Sequence, residues 1–228
     1  MIARIARRLR IAGRSQAGMS LAELLVAMFI TGILMTLVGT MFVNIARVTT
    51  NSNASTSRSG IAGNVMDEIS KVVRTATNNP VTGGTSDPAI VSGTTAALTL
   101  YSYVDADPLN PAPTKVTFRV DAAGTLFEDR ITATASGSYW VFTGTAKTRN
   151  LGGVVQTLTG TDALFIYYDD TNTVITPGGT GLTLAQRALV ASVQVTVRVT
   201  NTLTTGADPI ILINTVGMPN LFFSRTDN

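Results

Sequence analysis

Residues 16–44, QAGMSLAELLVAMFITGILMTLVGTMFVN, form an apolar run whose one carboxylate, Glu23, sits at its mouth. From Leu24 to Val43 there are 20 uncharged residues, about 30 Å as a helix, which is enough to cross a bilayer core. A charge carried deep into lipid costs roughly 2.5–3.5 kcal/mol. Glu23 therefore needs something to offset it, and its position is the main clue to what the chain does.

Upstream of this run the sequence is basic. Arg4, Arg7, Arg8, Arg10 and Arg14 fall within residues 1–18, which contain no acid. Arginines before an apolar span hold that end in the cytoplasm, so the expected topology is single-pass with the remainder outside. The apolar stretch is too long for a secretory signal, and no clear A-x-A cleavage site follows it. The net charge of +3 comes from this leader, because the other 12 basic residues face 14 acidic ones. A basic nucleic-acid-binding face on the globular part is thereby disfavoured.

Downstream, residues 49–60 (TTNSNASTSRSG) are polar with weak helix propensity. Ile61, Val65, Ile69, Val72 and Ala76 then recur at steps of three and four, one apolar stripe of a helix. Asp67, Glu68, Lys71 and Arg74 fall off that stripe and are expected to face water. This pattern predicts one long helix, weakened near residues 50–60 and ending around Asn78, ahead of Pro80. After Pro80 the pattern turns to β. Strands are expected at 96–104, 114–120, 124–132, 138–143 and 162–168, with Asp121–Gly124 as a turn. The clearest is 190–200, where Val193, Val195, Val197 and Val199 alternate with polar residues. It is expected to pair with 210–216 through a turn at Thr204–Pro209. Gly- and Pro-rich stretches at 80–88, 105–113 and 176–181 read as surface loops.

The expected fold is α+β: a long N-terminal helix, half membrane and half amphipathic, packed on an antiparallel β-sheet. Four regions follow: a basic leader at 1–18, a transmembrane helix at 19–45, its amphipathic continuation at 46–78, and a β-rich head at 79–228.

Composition narrows the chemistry. The chain contains no cysteine and no histidine, which removes disulfides, thiol nucleophiles, most zinc sites and the commonest general base. No catalytic set, cofactor site or metal site can be named, and the chain does not read as an enzyme. Asp105 with Asp107, and Asp169 with Asp170, offer calcium-type oxygen ligands but lack the spacing of a known calcium loop. Trp140 with Tyr139 and Phe142 reads either as an exposed adhesive patch or, more simply, as half-buried sheet aromatics.

The string Gly18-Met19-Ser20-Leu21-Ala22-Glu23, with the basic leader before it and the uncharged span after it, resembles the class III signal of type IV pilin-like proteins. These include type IV pilins, type II secretion pseudopilins and competence pseudopilins. The resemblance implies that a prepilin peptidase cuts between Gly18 and Met19 on the cytoplasmic face and methylates the new Met19 amine. It also implies that Glu23, fifth in the mature chain, pairs with the Met19 amine of a neighbouring subunit and sets the stagger of a filament. The residue types suit this. Gly18 lets an extended backbone enter a protease cleft closely, and paired charges are tolerated in a low-dielectric bundle where a lone one is costly. The plainer reading of Glu23, an interfacial acid favoured by a helix dipole, leaves the leader and the Gly-Met junction unexplained.

The implied partners are the prepilin peptidase, other pilin or pseudopilin subunits, an assembly-platform membrane protein and the lipid bilayer. The implied location is the cell membrane and then a filament at the cell surface. Two departures from the family stand out. The membrane helix has no proline, and its breakers Gly32 and Gly39 mark either a soft spot or close helix approach, the latter favoured. The paired C-terminal cysteines of many pilins are also missing. The strand Phe165-Ile166-Tyr167-Tyr168-Asp169 and the closing hairpin through Met218-Pro219-Asn220 resemble J-type minor pseudopilins and W-type minor pilins. Together they favour a minor subunit. The competing expectation is a single-pass surface adhesin that keeps its leader.

Overall fold

The computed structural model describes residues 19–81, 86–109, 111–154, 163–199 and 209–221. Outside them lie the leader with Gly18, residues 82–85 and Asn110 of two expected loops, Asp162 and Thr200 at expected strand ends, and Thr204 of the expected turn. One helix, α1 (Leu21–Arg74), runs from the apolar segment through the polar stretch without interruption. The chain divides into two compact units, Met1–Ser52 and Asn53–Asn228.

In the first unit every described residue from Met19 to Ser52 is exposed. The apolar part of α1 is long and hydrophobic enough to cross a membrane, with a mean hydropathy of 2.3 and none of it buried. Such a surface is stable only against lipid or other apolar helices. The threonines in it are made tolerable by bonding their own helix: Thr31 Oγ1 donates to the Ala27 carbonyl at 2.7 Å, and Thr36 Oγ1 to the Gly32 carbonyl at 2.8 Å. A Cβ added at Gly32 or Gly39 would meet nothing within 4 Å.

In the second unit the amphipathic end of α1 packs on antiparallel sheet. Strands β1 (Ile90–Gly93), β2 (Ala97–Ser102), β3 (Thr114–Val120), β4 (Thr125–Thr132) and β7 (Lys147–Val154) make a five-stranded sheet in the order β1-β2-β3-β4-β7. The short strands β5 (Thr134–Ser136) and β6 (Tyr139–Val141) pair with each other. The β3–β4 turn is made at Asp121, whose Oδ1 accepts the amides of Ala123 at 2.9 Å and Thr125 at 2.8 Å. Gly124 supplies the positive φ of 80° that closes it.

The second sheet comprises β8 (Phe165–Tyr168), β9 (Val174–Ile175), β10 (Ser192–Val199) and β11 (Ile210–Gly217), in the order β11-β10-β8-β9. Its register places Val193 opposite Tyr167 and Val195 opposite Phe165, all four buried. A short helix, α2 (Leu184–Leu189), precedes β10 and is closed by a capping box between Thr183 and Gln186. Ala62, Val65, Ile69, Val72 and Val73 of α1 join Leu98, Leu100, Val116 and Phe118 in one hydrophobic core with β8 and β10. Burying such side chains is worth roughly 1.5–3 kcal/mol each.

The helix-facing side of the five-stranded sheet is split along its length. One row reads Leu98, Phe118, Glu128, Arg149 across β2, β3, β4 and β7, and the next reads Leu100, Val116, Arg130, Lys147. The β2–β3 half is apolar and the β4–β7 half is ionic. Helix α1 crosses both halves. Its Val72 carbonyl accepts from Ser102 Oγ on β2 at 2.9 Å, while Glu68 pairs with Arg130 and Arg149 on the ionic half.

Two expectations are corrected here. Glu68 does not face water. It is turned inward because the sheet beneath it carries arginines rather than leucines, and Lys71, half exposed, is paired with Asp105. Asp67 and Arg74 are exposed as expected. The helix also ends at Arg74 rather than near Asn78. The next residues take β-type bonds instead: the Thr77 amide donates to the Tyr101 carbonyl, the Tyr103 amide to the Thr75 carbonyl, and Ala76 bridges Ser102. Sheet pairing outcompetes the last helical turn. Strands β1, β5, β7 and β9 were not expected, and β6 is shorter than the expected 138–143.

Candidate functional site

The start of α1 is built by Ser20 and Glu23. The Ser20 carbonyl accepts the first helical bond from the Leu24 amide at 3.1 Å, which makes Ser20 the cap. Its hydroxyl accepts from the Glu23 amide at 3.2 Å, and Glu23 Oε2 accepts from the Ser20 amide at 3.0 Å. These are the two reciprocal bonds of a capping box. The Ser-x-x-Glu spacing was visible in the sequence, but the reading of Glu23 as a charge in oil left Ser20 without a role.

Magnitudes decide how much this local device can do. A serine cap is worth about 0.5–2 kcal/mol, and an acid in the first turn gains about 0.3–1 kcal/mol from the helix dipole. Together these approach the roughly 2.5–3.5 kcal/mol cost of a carboxylate deep in the membrane without clearly exceeding it. The carboxylate is therefore held, not neutralised. Met19, the residue before the cap, is exposed, whereas Gly18 lies outside the described residues.

A second polar constellation lies in the head, where no site was expected. Glu128 on β4 is fully buried, and two guanidinium groups satisfy it. Arg130 Nε donates to Oε1 at 2.9 Å, and Arg149 Nε to Oε2 at 2.9 Å. Both arginines also pair with Glu68 of α1, and Arg130 reaches Asp105 Oδ2 at 2.9 Å. Hydrogen bonds from Lys71 first, and then from Arg130, hold the Asp105 carboxyl below the usual carboxylate range. This network fixes the amphipathic helix on the sheet. Its signal was present in β4, where Glu128 falls on the same face as buried Leu126.

Asp169 accepts from the Thr171 hydroxyl and from the Thr173 and Thr171 amides, the first bond contributing most to a lowered carboxyl pKa. Among the described residues no group of three or more acidic side chains is placed to hold a metal. Trp140 is half buried, and Phe142 stacks on Tyr101 with ring centroids 4.8 Å apart.

Residues 13–39 match the family described as the prokaryotic N-terminal methylation motif. No curated protein matches the chain. The motif match supports a type IV pilin-like signal peptide, and with the apolar α1 it supports a membrane anchor and N-terminal methylation. The family of the matched motif is structural rather than enzymatic.

Proposed function

We propose that the chain is a minor subunit of a type IV pilus-like filament. A prepilin peptidase cuts it between Gly18 and Met19 and methylates Met19. It then waits in the bilayer, anchored by residues 19–45, until an assembly-platform protein adds it to other pilin or pseudopilin subunits. In that assembly the Glu23 carboxylate takes the Met19 amine of an adjacent protomer.

The observation that carries this reading is the Ser20–Glu23 capping box at the foot of a fully exposed apolar helix. Among the described residues only Oε2 of Glu23 is engaged, so Oε1 is left open for an incoming cation. The exposed apolar surface of α1 suits lipid first and a helical bundle later. A contact between unlike surfaces that does not close on itself builds filaments. The sequences of the Phe165–Asp169 strand and of the closing strand pair, which resemble those of J-type minor pseudopilins and W-type minor pilins, support the minor-subunit reading.

Co-expression with a prepilin peptidase, followed by N-terminal sequencing, tests this reading. The expected product begins at methylated Met19 and stays in the membrane fraction. A product that keeps the arginine leader would instead identify a single-pass adhesin and refute the filament reading.

A further inference from the structure

A cleft of about 740 Å³ opens in the head where the ionic half of the sheet runs out. Thr114 on β3 and Thr132 on β4 stand opposite each other in register, one step beyond the Val116–Arg130 row. Both line the cleft, and Trp140 on β6 forms another wall. Alanines at 106, 112, 133 and 135 leave the space that larger residues would fill. The volume is that of a small-ligand site, and its lining combines one tryptophan with several polar side chains.

The hydrogen-bonding groups at its rim are unspent. The hydroxyls of Thr114, Thr132 and Thr134, the Trp140 indole N–H and the Lys147 ammonium have no partner among the described residues. Asp107 uses only Oδ1, on the Leu109 amide at 2.9 Å. Asp105 and Arg130, by contrast, are committed to each other. Asp105 has a positive φ of 51° in the loop that carries Asp107.

We infer that this cleft binds a neutral saccharide. What remains after the Asp105–Arg130 pair is one carboxylate and one ammonium, so the cleft has no net charge with which to select an anion or a cation. A pyranose offers an apolar C–H face to the Trp140 indole and a rim of hydroxyls that both donate and accept. Asp107 accepts from such hydroxyls, Lys147 donates to them, and the threonines do either. The inference does not depend on leader cleavage, since the cleft lies wholly within the head.

Trp140 is the chain's single tryptophan, so its emission reports this cleft alone. Full-length protein in a zwitterionic detergent without sugar headgroups is titrated with neutral gluco-, manno- and galacto-oligosaccharides and with their sulfated or uronic forms. Saturable emission changes with at least one neutral series are expected. Asp107→Asn and Trp140→Ala are expected to weaken binding at least tenfold, the latter followed by calorimetry, while Asp170→Asn leaves it unchanged. The circular dichroism and thermal midpoint of Asp107→Asn should match the parent, so lost binding is not lost folding. No response to any neutral sugar, a response to the acidic forms only, or undiminished binding by Asp107→Asn each overturns the inference.

Discussion

The Ser20 amide lies 3.0 Å from Oε2 of Glu23, and so the helix start fixes one carboxylate oxygen while the other stays unengaged. A positioned acid loses less side-chain entropy when an amine arrives than a freely rotating one does. Ser20 is thus a positioning residue for the proposed subunit contact, one residue away from the amine that processing would create.

Ser20→Ala removes the hydroxyl that caps the Glu23 amide and should cost about 0.5–2 kcal/mol of helix-start stability. Cleavage should proceed, with incorporation into filaments reduced. Glu23→Ala should also be cleaved but not incorporated. Immunoblots of membrane and sheared-filament fractions measure both, and normal incorporation of Glu23→Ala would remove the pairing role.

Glu128→Ala leaves Arg130 and Arg149 with Glu68 as the one acid they share. Breaking a buried pair from one side costs about 3–5 kcal/mol. Lys71→Ala breaks a pair whose side chains are 52% and 53% exposed, and such surface pairs are worth at most about 1 kcal/mol. Chemical denaturation of the two variants should therefore differ several-fold in destabilisation. Equal losses would mean that the inward ionic half is not a structural element.

Gly93 on β1 sits against the Tyr167 ring. A Cβ there would stand 2.7 Å from the Tyr167 hydroxyl oxygen and 2.9 Å from Leu182 Cδ1. That hydroxyl is held in place by its 2.8 Å bond to the Thr94 carbonyl, and burial raises its pKa. Gly93→Ala should destabilise the head by about 1–3 kcal/mol through overpacking, read as a lowered thermal midpoint. Gly179→Ala, with open space around it, should be close to neutral.

Acid should weaken the head in a defined window. Lys71 and Arg130 depress the Asp105 pKa, and Arg119, with the Thr148 hydroxyl, depresses that of Asp129. A depressed carboxylate contributes its full stability above the unfolded value of roughly 3.9 and loses it as pH falls through the lower folded value. The thermal midpoint should therefore drop below about pH 4, and Asp129→Asn should flatten that drop. A drop of unchanged steepness in Asp129→Asn would assign it to other groups.

The elements legible in advance were those with strong periodicity. The 54-residue helix, the 114–120 strand and the valine alternation of β10 follow from patterns of 3.6 and 2 residues. Strands β1, β5 and β9 were not legible, because two to four residues carry too little period to separate them from loop. Strand β7 (KTRNLGGV) was missed for another reason. Its polar, glycine-containing sequence resembles a turn until Glu128 and Glu68 supply partners for Arg149. Ser20 was readable from its spacing to Glu23 and was overlooked.

The sequence by itself determined the anchor, the acid at its mouth and the motif around Gly18 and Met19, because length, hydropathy and charge order are properties of consecutive residues. The tertiary structure alone decided that Glu68 faces inward, that Glu128 is buried between arginines, and that threonines, a tryptophan, Asp107 and Lys147 line one cleft. Those relationships join residues separated by tens of positions. Only strand register and the path of α1 across the sheet bring such groups within bonding distance, and neither is written in any local stretch of the chain.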